Sequence, residues 1–282
     1  MAAGSDVHVV ASARRVRQLA HMAKVRSKDG TAIAFDRLGK GPPIILVDGA
    51  FCTRTFGPMP KLAPLLADHF TVFTYDRRGR GESGDTAPYA VQREIEDLEA
   101  LIKEAGGSAF VFGMSSGATL GLEAAAQKVN IRKMALYEPP VMVDGGGHRP
   151  PADYQAQLQK FVAENRRGDA VKFMMTKVMG MPAVVVSVMR LLPVWSKLKA
   201  VANTLPYDAA ITGDSSSTMQ RARSVTVPAL VIDGDKSPPF LRGAVEAVAK
   251  ALPDAQHRTL KGQSHNVSAK ALAPVLIEFL RE

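Results

Sequence analysis

Phe110-Val111-Phe112-Gly113-Met114-Ser115-Ser116-Gly117-Ala118-Thr119 is the stretch that decides the fold. Its opening residues, together with Ala109, form a short apolar run of strand type, and the residues from Ser116 to Lys128 read as a helix. Between them Gly113-Met114-Ser115-Ser116-Gly117 matches G-x-S-x-G, a strand-to-helix turn that holds a serine at its apex. Such a serine takes φ > 0 at a strain of about 1–3 kcal/mol, and a side chain at either flanking glycine would collide with neighbouring backbone. The register selects Ser115 as the nucleophile. It has glycine two residues before and two after, whereas Ser116 has Met114 and Ala118 there.

On both sides of this turn strand and helix patterns alternate. Residues 31–35 alternate as a strand, Pro43–Val47 reads as a fully buried strand ending at Asp48-Gly49, and 70–75 is a third. Val91, Ile95, Leu98 and Ile102 mark one helix face, which Gly106-Gly107 ends. Further strands are expected at Ile131–Tyr137, 229–232 and 257–260, with helices at 244–252 and 271–280. Alternation of this kind implies a mainly parallel central sheet flanked by helices on both faces. Between Pro139 and Val227 it gives way to helical patterns, such as Tyr154, Leu158, Phe161 and Val162, then 173–179. Pro139-Pro140, Gly145-Gly146-Gly147 and Pro150-Pro151 mark the entry to this segment, and Val227-Pro228 its exit. The expected organisation is a basic N-terminal arm over 1–22, an α/β core over 23–140 and 227–282, and an inserted helical cap over 141–226. Ser215-Ser216-Ser217 is expected to be a mobile cap loop.

The chain has 282 residues, 46% hydrophobic and 22% charged, a globular composition. Its longest apolar stretch, Ala183–Met189, is interrupted by Ser187 and is far short of a membrane span, and the first thirty residues lack an apolar signal core. These features predict a cytoplasmic protein without membrane insertion. The single cysteine, Cys52, excludes an intrachain disulfide and a cysteine-based metal cluster. No cofactor motif or metal site is expected, since Gly145-Gly146-Gly147 has no phosphate-binding helix after it. Of the net charge of +9, residues 1–30 supply +4 through Arg14, Arg15, Arg17, Lys24, Arg26 and Lys28 against Asp6 and Asp29. No stacking-aromatic or recognition-helix motif accompanies this arm, so the expected partner is a small-molecule substrate and not a specific nucleic acid. Oligomeric state is not legible.

A serine hydroxyl needs a base within hydrogen-bond reach. Of six histidines, His8 and His21 lie on the arm, His69 and His257 at or within strands, and His148 in the cap entry. His265 lies in Gly262-Gln263-Ser264-His265-Asn266, a loop following the last strand at the carboxyl edge of the sheet, where Ser115 also sits.

With these residues the chain resembles the α/β-hydrolase family over about residues 23–282. Tyr75-Asp76-Arg77-Arg78-Gly79-Arg80-Gly81-Glu82-Ser83 is similar to the family's D-x-R-G-x-G-x-S loop, and Val227-Pro228-Ala229-Leu230-Val231-Ile232-Asp233-Gly234 to its penultimate strand. In that loop Asp76, Arg77 and Arg78 are expected to serve architecture, the alternative being an anionic substrate. The resemblance implies an α/β-hydrolase fold with an oxyanion hole formed by the backbone N–H groups of Ala50 and Ser116. Where the family usually has His-Gly, this chain has Asp48-Gly49; an anion there weakens oxyanion stabilisation unless it is paired or turned away. The family's usual acid position holds Ser237, which cannot supply negative charge. Glu138, at the end of the strand after the elbow, resembles an alternative site for the acid. Asp235 and then Asp233 are its competitors.

A serine at the elbow fits acyl transfer and argues against the dehalogenase and epoxide hydrolase branches, which need a carboxylate there. The reading is an esterase-like serine hydrolase acting on a small or medium apolar ester, thioester or lactone. The alternatives are a lyase, cyclase or C–C bond hydrolase reusing Ser115 and His265, and a non-catalytic small-molecule binder. Met174, Met175, Met179, Met181, Met189, Leu191, Leu192 and Trp195 either line the cleft or pack the cap helices together.

Overall fold

The computed structural model describes residues 21–143 and 148–281. The arm over residues 1–20 and the Gly145-Gly146-Gly147 run lie outside the described residues. Among the described residues eight strands form one sheet: β1 (His21–Arg26), β2 (Ala32–Leu38), β3 (Pro43–Val47), β4 (Thr71–Tyr75), β5 (Ala109–Met114), β6 (Ile131–Tyr137), β7 (Ala229–Gly234) and β8 (Ala255–Leu260). Their spatial order is β1-β2-β4-β3-β5-β6-β7-β8. The β1–β2 and β2–β4 pairs are antiparallel and every other pair is parallel, as the strand–helix alternation requires.

Period-two alternation divides the buried strands between two cores. Ile44, Leu46, Phe110 and Phe112 face α1 (Met59–Leu66) and α11 (Ala269–Arg281), while Ile45, Val47 and Val111 face α2 (Val91–Glu104), α3 (Ser116–Ala126) and α10 (Pro239–Ala251). Helices thus cover both faces, and a sheet buried on both sides needs the near-continuous apolar strands seen in β3 and β5.

Between β6 and β7 the described residues form six α-helices, α4 (Tyr154–Ala163), α5 (Arg167–Phe173), α6 (Ala183–Met189), α7 (Val194–Ala200), α8 (Leu205–Thr212) and α9 (Ser215–Ala222). A π-helical turn at Met174–Val178 follows α5. This insertion has its own apolar cluster, which includes Tyr154, Leu158, Met174, Met175, Trp195 and Leu205.

Several expectations change. His21 and Met22 belong to edge strand β1 and not to a free arm, so Lys24 and Arg26 are charges on a sheet edge, where they discourage further strand pairing. Helix α1 has no counterpart among the expected elements; Pro60 falls in its first turn, where no N–H is needed, and Pro64 lies inside it. Ser215-Ser216-Ser217 opens α9 instead of forming a loop, with Asp214 as N-cap accepting from the Ser217 N–H at 3.0 Å.

Candidate active site

Ser115 joins β5 to α3 with φ 56° and ψ −127°. Its N–H donates to the Tyr137 carbonyl at 2.9 Å, and its carbonyl accepts from the Ala118 and Thr119 N–H groups. The flanking glycines are obligatory. A Cβ on Gly113 would lie 2.5 Å from the Gly117 carbonyl oxygen, and one on Gly117 would lie 2.3 Å from the Val47 carbonyl oxygen. Local sterics of the G-x-S-x-G run therefore build the apex.

Strand register brings the other site residues to it. Val47 pairs with Gly113, so Asp48-Gly49-Ala50 leaves β3 beside Ser115; a Cβ on Gly49 would meet the Ser115 Cβ at 3.0 Å. Met114 pairs with Tyr137, which sets Glu138 at the end of the neighbouring strand with φ 47°. The Glu138 N–H donates to the Ile232 carbonyl at 3.0 Å.

The Glu138 carboxylate has no solvent exposure, and its Oε2 accepts from His265 Nδ1 at 2.7 Å. Oε1 accepts from the Gly234 N–H at 2.9 Å and from the Ser237 hydroxyl. Ser237, at the position where the family pattern has an acid, thus donates to a carboxylate that comes from another strand. With Nδ1 donating, His265 Nε2 is the nitrogen left to take a proton. The histidine loop is pinned by Tyr137, whose hydroxyl donates to the Ser264 carbonyl at 2.6 Å, and by a close approach of Gly234 to Gln263 that leaves no room for a side chain. His265 is 28% exposed. Among the described residues Ser115 Oγ makes no hydrogen bond, to His265 or elsewhere. Nucleophile–base contacts commonly tighten only with substrate bound.

The competing acids are turned elsewhere. Asp233 accepts from Thr259 Oγ1 at 2.7 Å, from His257 Nε2 at 3.1 Å and from Arg242 Nε at 3.2 Å. Asp235 Oδ1 accepts from the Gly262 N–H at 2.7 Å. Both follow from β7 continuing to Gly234: the strand holds Asp233 against β8 and leaves Asp235 in the turn beyond.

Neither the Ala50 nor the Ser116 N–H has an acceptor among the described residues. Ser116 is the first residue of α3, where a free N–H and the positive end of the helix dipole coincide. Asp48 is buried beside this pair. Its Oδ1 accepts from the Gly49 N–H at 3.3 Å, and among the described residues its Oδ2 makes no hydrogen bond of normal geometry, with the Cys52 thiol as its polar neighbour. Burial pushes the Asp48 carboxyl up to about 7, against the pull of Arg80 and Arg77.

The arginine-rich loop after β4 is architectural. Asp76 holds Arg54, Arg78 holds Asp97 and Asp29, and Arg77 grips Glu94 with two bonds of 2.6 and 2.8 Å. Arg77 and Arg80 also meet Asp208, a buried carboxylate on α8. Burial opposes the Asp208 charge, yet Arg80 and Arg77 hold its carboxyl below the ordinary range. Sequence reasoning missed both Arg80 and Asp208. The available signal was one carboxylate within the apolar run Leu205–Thr212.

Of the side chains expected either to line a cleft or to pack, Met174, Met175 and Trp195 are buried in the insertion's own cluster, with Met179, Met181 and Met189 packed against it. Leu191 and Leu192 do not pack into that cluster and are 85% and 50% exposed. Phe51 belongs to the same cluster and Ala50 packs on it, so the insertion rests directly on the loop after β3.

The sequence profile described as "Alpha/beta hydrolase family" matches residues 44–275. An alpha/beta hydrolase from Sphaerobacter thermophilus DSM 20745, known from its crystal structure, is 52% identical, with a TM-score of 0.86 over 92% of this chain and 100% of that one. A thermophilic esterase from Thermogutta terrifontis superposes with a TM-score of 0.68 over 93% of this chain and 98% of that one, and at 20% identity it speaks for the fold alone. The uncharacterized hydrolase YraK of Bacillus subtilis (strain 168) is 30% identical over 152 residues, 51% of this chain. That match spans 54% of YraK, about half its length. No helix among the described residues is long and apolar enough to cross a membrane.

Proposed function

The chain belongs to the alpha/beta hydrolase family, and from that membership we propose that it is a serine hydrolase acting on a small or medium apolar ester, thioester or lactone. The observation that carries this reading is the 2.7 Å hydrogen bond between His265 Nδ1 and the buried Glu138 carboxylate, at the sheet edge that also holds the strained Ser115. Ser115 Oγ attacks the carbonyl carbon while His265 Nε2 takes its proton, and Glu138 orients the ring and stabilises the imidazolium. The Ala50 and Ser116 N–H groups receive the oxyanion of the tetrahedral intermediate. Collapse of that intermediate expels the alcohol or thiol, which takes the proton from His265. Water then attacks the acyl-enzyme by the same route and frees the acid.

The helical insertion, residues 141–226, serves as a cap, and its apolar cluster beside Ala50 suits an apolar acyl group. A purely binding role is disfavoured by the carboxylate on His265, since a binder has no use for an oriented base. Turnover of esters of graded acyl length, with Ser115→Ala as control, tests the proposal. Activity lost in that variant supports it, and activity retained rejects it.

A further inference from the structure

One buried carboxylate from the helical insertion bonds Ser116 directly and connects through Arg80 to the loop that carries Ala50, Ser116 and Ala50 being the two proposed oxyanion donors. Asp208 Oδ1 accepts from Ser116 Oγ and from Arg77 Nη1, each at 2.7 Å, and Oδ2 accepts from Arg80 Nη2 at 2.7 Å. Arg80 in turn donates from Nη1 to the Gly49 carbonyl at 2.7 Å and to the Cys52 carbonyl at 3.3 Å, and from Nε to Thr204 Oγ1 at 3.0 Å. Arg77 donates to Ser116 Oγ at 3.2 Å and to the Asp48 carbonyl at 3.4 Å.

The Gly49 carbonyl and the Ala50 N–H belong to one planar trans peptide unit, in which they point in opposite directions. A guanidinium that fixes the carbonyl therefore fixes the aim of the N–H. Ser116 is held through its hydroxyl, three bonds from its own backbone nitrogen. Burying charged groups at this density is costly and contributes little net stability even when they are well paired. What the cluster supplies is rigidity at two peptide groups 66 residues apart in the chain.

We infer that Asp208 is a positioning residue for the oxyanion site, aiming the Ala50 N–H through Arg80 and the Ser116 N–H through the Ser116 hydroxyl. The base of the helical insertion is then part of the rate-determining apparatus and not only of substrate selection. This inference rests on the serine hydrolase reading. It differs in consequence: exchanging the insertion for one without a carboxylate at position 208 costs rate on every substrate.

The test compares wild type, Asp208→Asn, Ser116→Ala and Ser115→Ala on a short soluble ester, together with binding of an alkylboronic acid, whose serine adduct places an oxygen in the hole. A misplacement of about 1 Å can cost on the order of 100-fold, so Asp208→Asn is expected to lower kcat about 10- to 100-fold with KM changed less than about twofold. Boronate affinity should fall in parallel. Ser116→Ala, which removes only the grip on the elbow and keeps the N–H, should show a smaller loss in the same two quantities, and it decides the matter if Asp208→Asn does not fold. A merely structural role predicts lower thermal stability with kcat per folded molecule and boronate affinity unchanged, and that result overturns the inference. So does a change confined to KM. An active wild type whose Asp208→Asn and Ser116→Ala variants keep its kcat removes this role alone; a wild type that turns over no ester and binds no boronate removes the hydrolase reading and this role with it.

Discussion

Glu138 and Ser237 stand 99 residues apart in the chain and meet through the Ser237 hydroxyl, which donates to the same carboxylate that accepts from His265 Nδ1. Glu138 directly follows β6 and Ser237 lies beyond β7, so the hydroxyl bonds the carboxylate that in turn accepts from His265. Glu138→Gln keeps the shape and removes the charge, and should lower kcat by up to about 10⁴-fold. Asp235→Asn, which keeps an oxygen for the Gly262 N–H, should stay within about twofold of wild type, as surface changes away from such features usually do. Steady-state kinetics of the two variants checks both.

Asp48 ties stability and rate to pH. Its carboxyl sits at about 7 in the fold, against an ordinary 3.8, because burial penalises the charge. The folded chain therefore binds more protons than the unfolded chain between these values. The stabilisation is fully present below about pH 4 and is lost as pH rises through about 7. Asp48→Asn should flatten that decline in a denaturant series across pH. Above pH 7 the charged carboxylate beside the Ala50 and Ser116 N–H groups opposes a developing oxyanion, so the variant should retain a larger share of its peak kcat there. Arg80 and Arg77 face the same group and limit the size of the effect, and the partly buried Cys52 thiol, itself pushed up by desolvation, stays neutral.

Trp195 packs the insertion, with its ring under Arg190 at 5.9 Å. Trp195→Ala should cost about 3–5 kcal/mol of stability. Losses on esters of all acyl lengths should then track the fall in melting temperature. A selective change in acyl-length ranking, with stability intact, would instead assign the ring to the cleft.

Gly117→Ala should damage the elbow as a whole. The added Cβ meets the backbone oxygens of Val47 and Asp48 at 2.3 and 2.6 Å, and neither can yield as a flexible side chain would. Overpacking of this kind costs about 1–3 kcal/mol or more. Thermal unfolding and activity should fall together, whereas Ser115→Ala should leave the melting temperature near that of wild type.

What was legible in the sequence was whatever local sterics dictate. The Gly113–Gly117 spacing demands a positive-φ serine between strand and helix, and the strand pattern Ile131–Tyr137 ends where Glu138 begins. The expected strand bounds at Pro43–Val47 and Ile131–Tyr137 coincide with the observed ones, since each strand closes on a buried apolar stretch, 44–47 and 134–137, followed by an acidic residue. What remained hidden depends on distance in the chain. Arg80 and Asp208 are 128 residues apart, and no local pattern announces that a loop arginine and a helix carboxylate will share one buried site. Edge strand β1 was hidden for another reason: charged residues on an exposed edge carry a weak apolar alternation.

The most direct test of the central claim is peptide mapping by mass spectrometry after reaction with a fluorophosphonate. A single adduct on the peptide containing Ser115, absent in Ser115→Ala and accompanied by loss of ester turnover, is the predicted result. An adduct on Ser116 or elsewhere, with turnover persisting in Ser115→Ala, would contradict it.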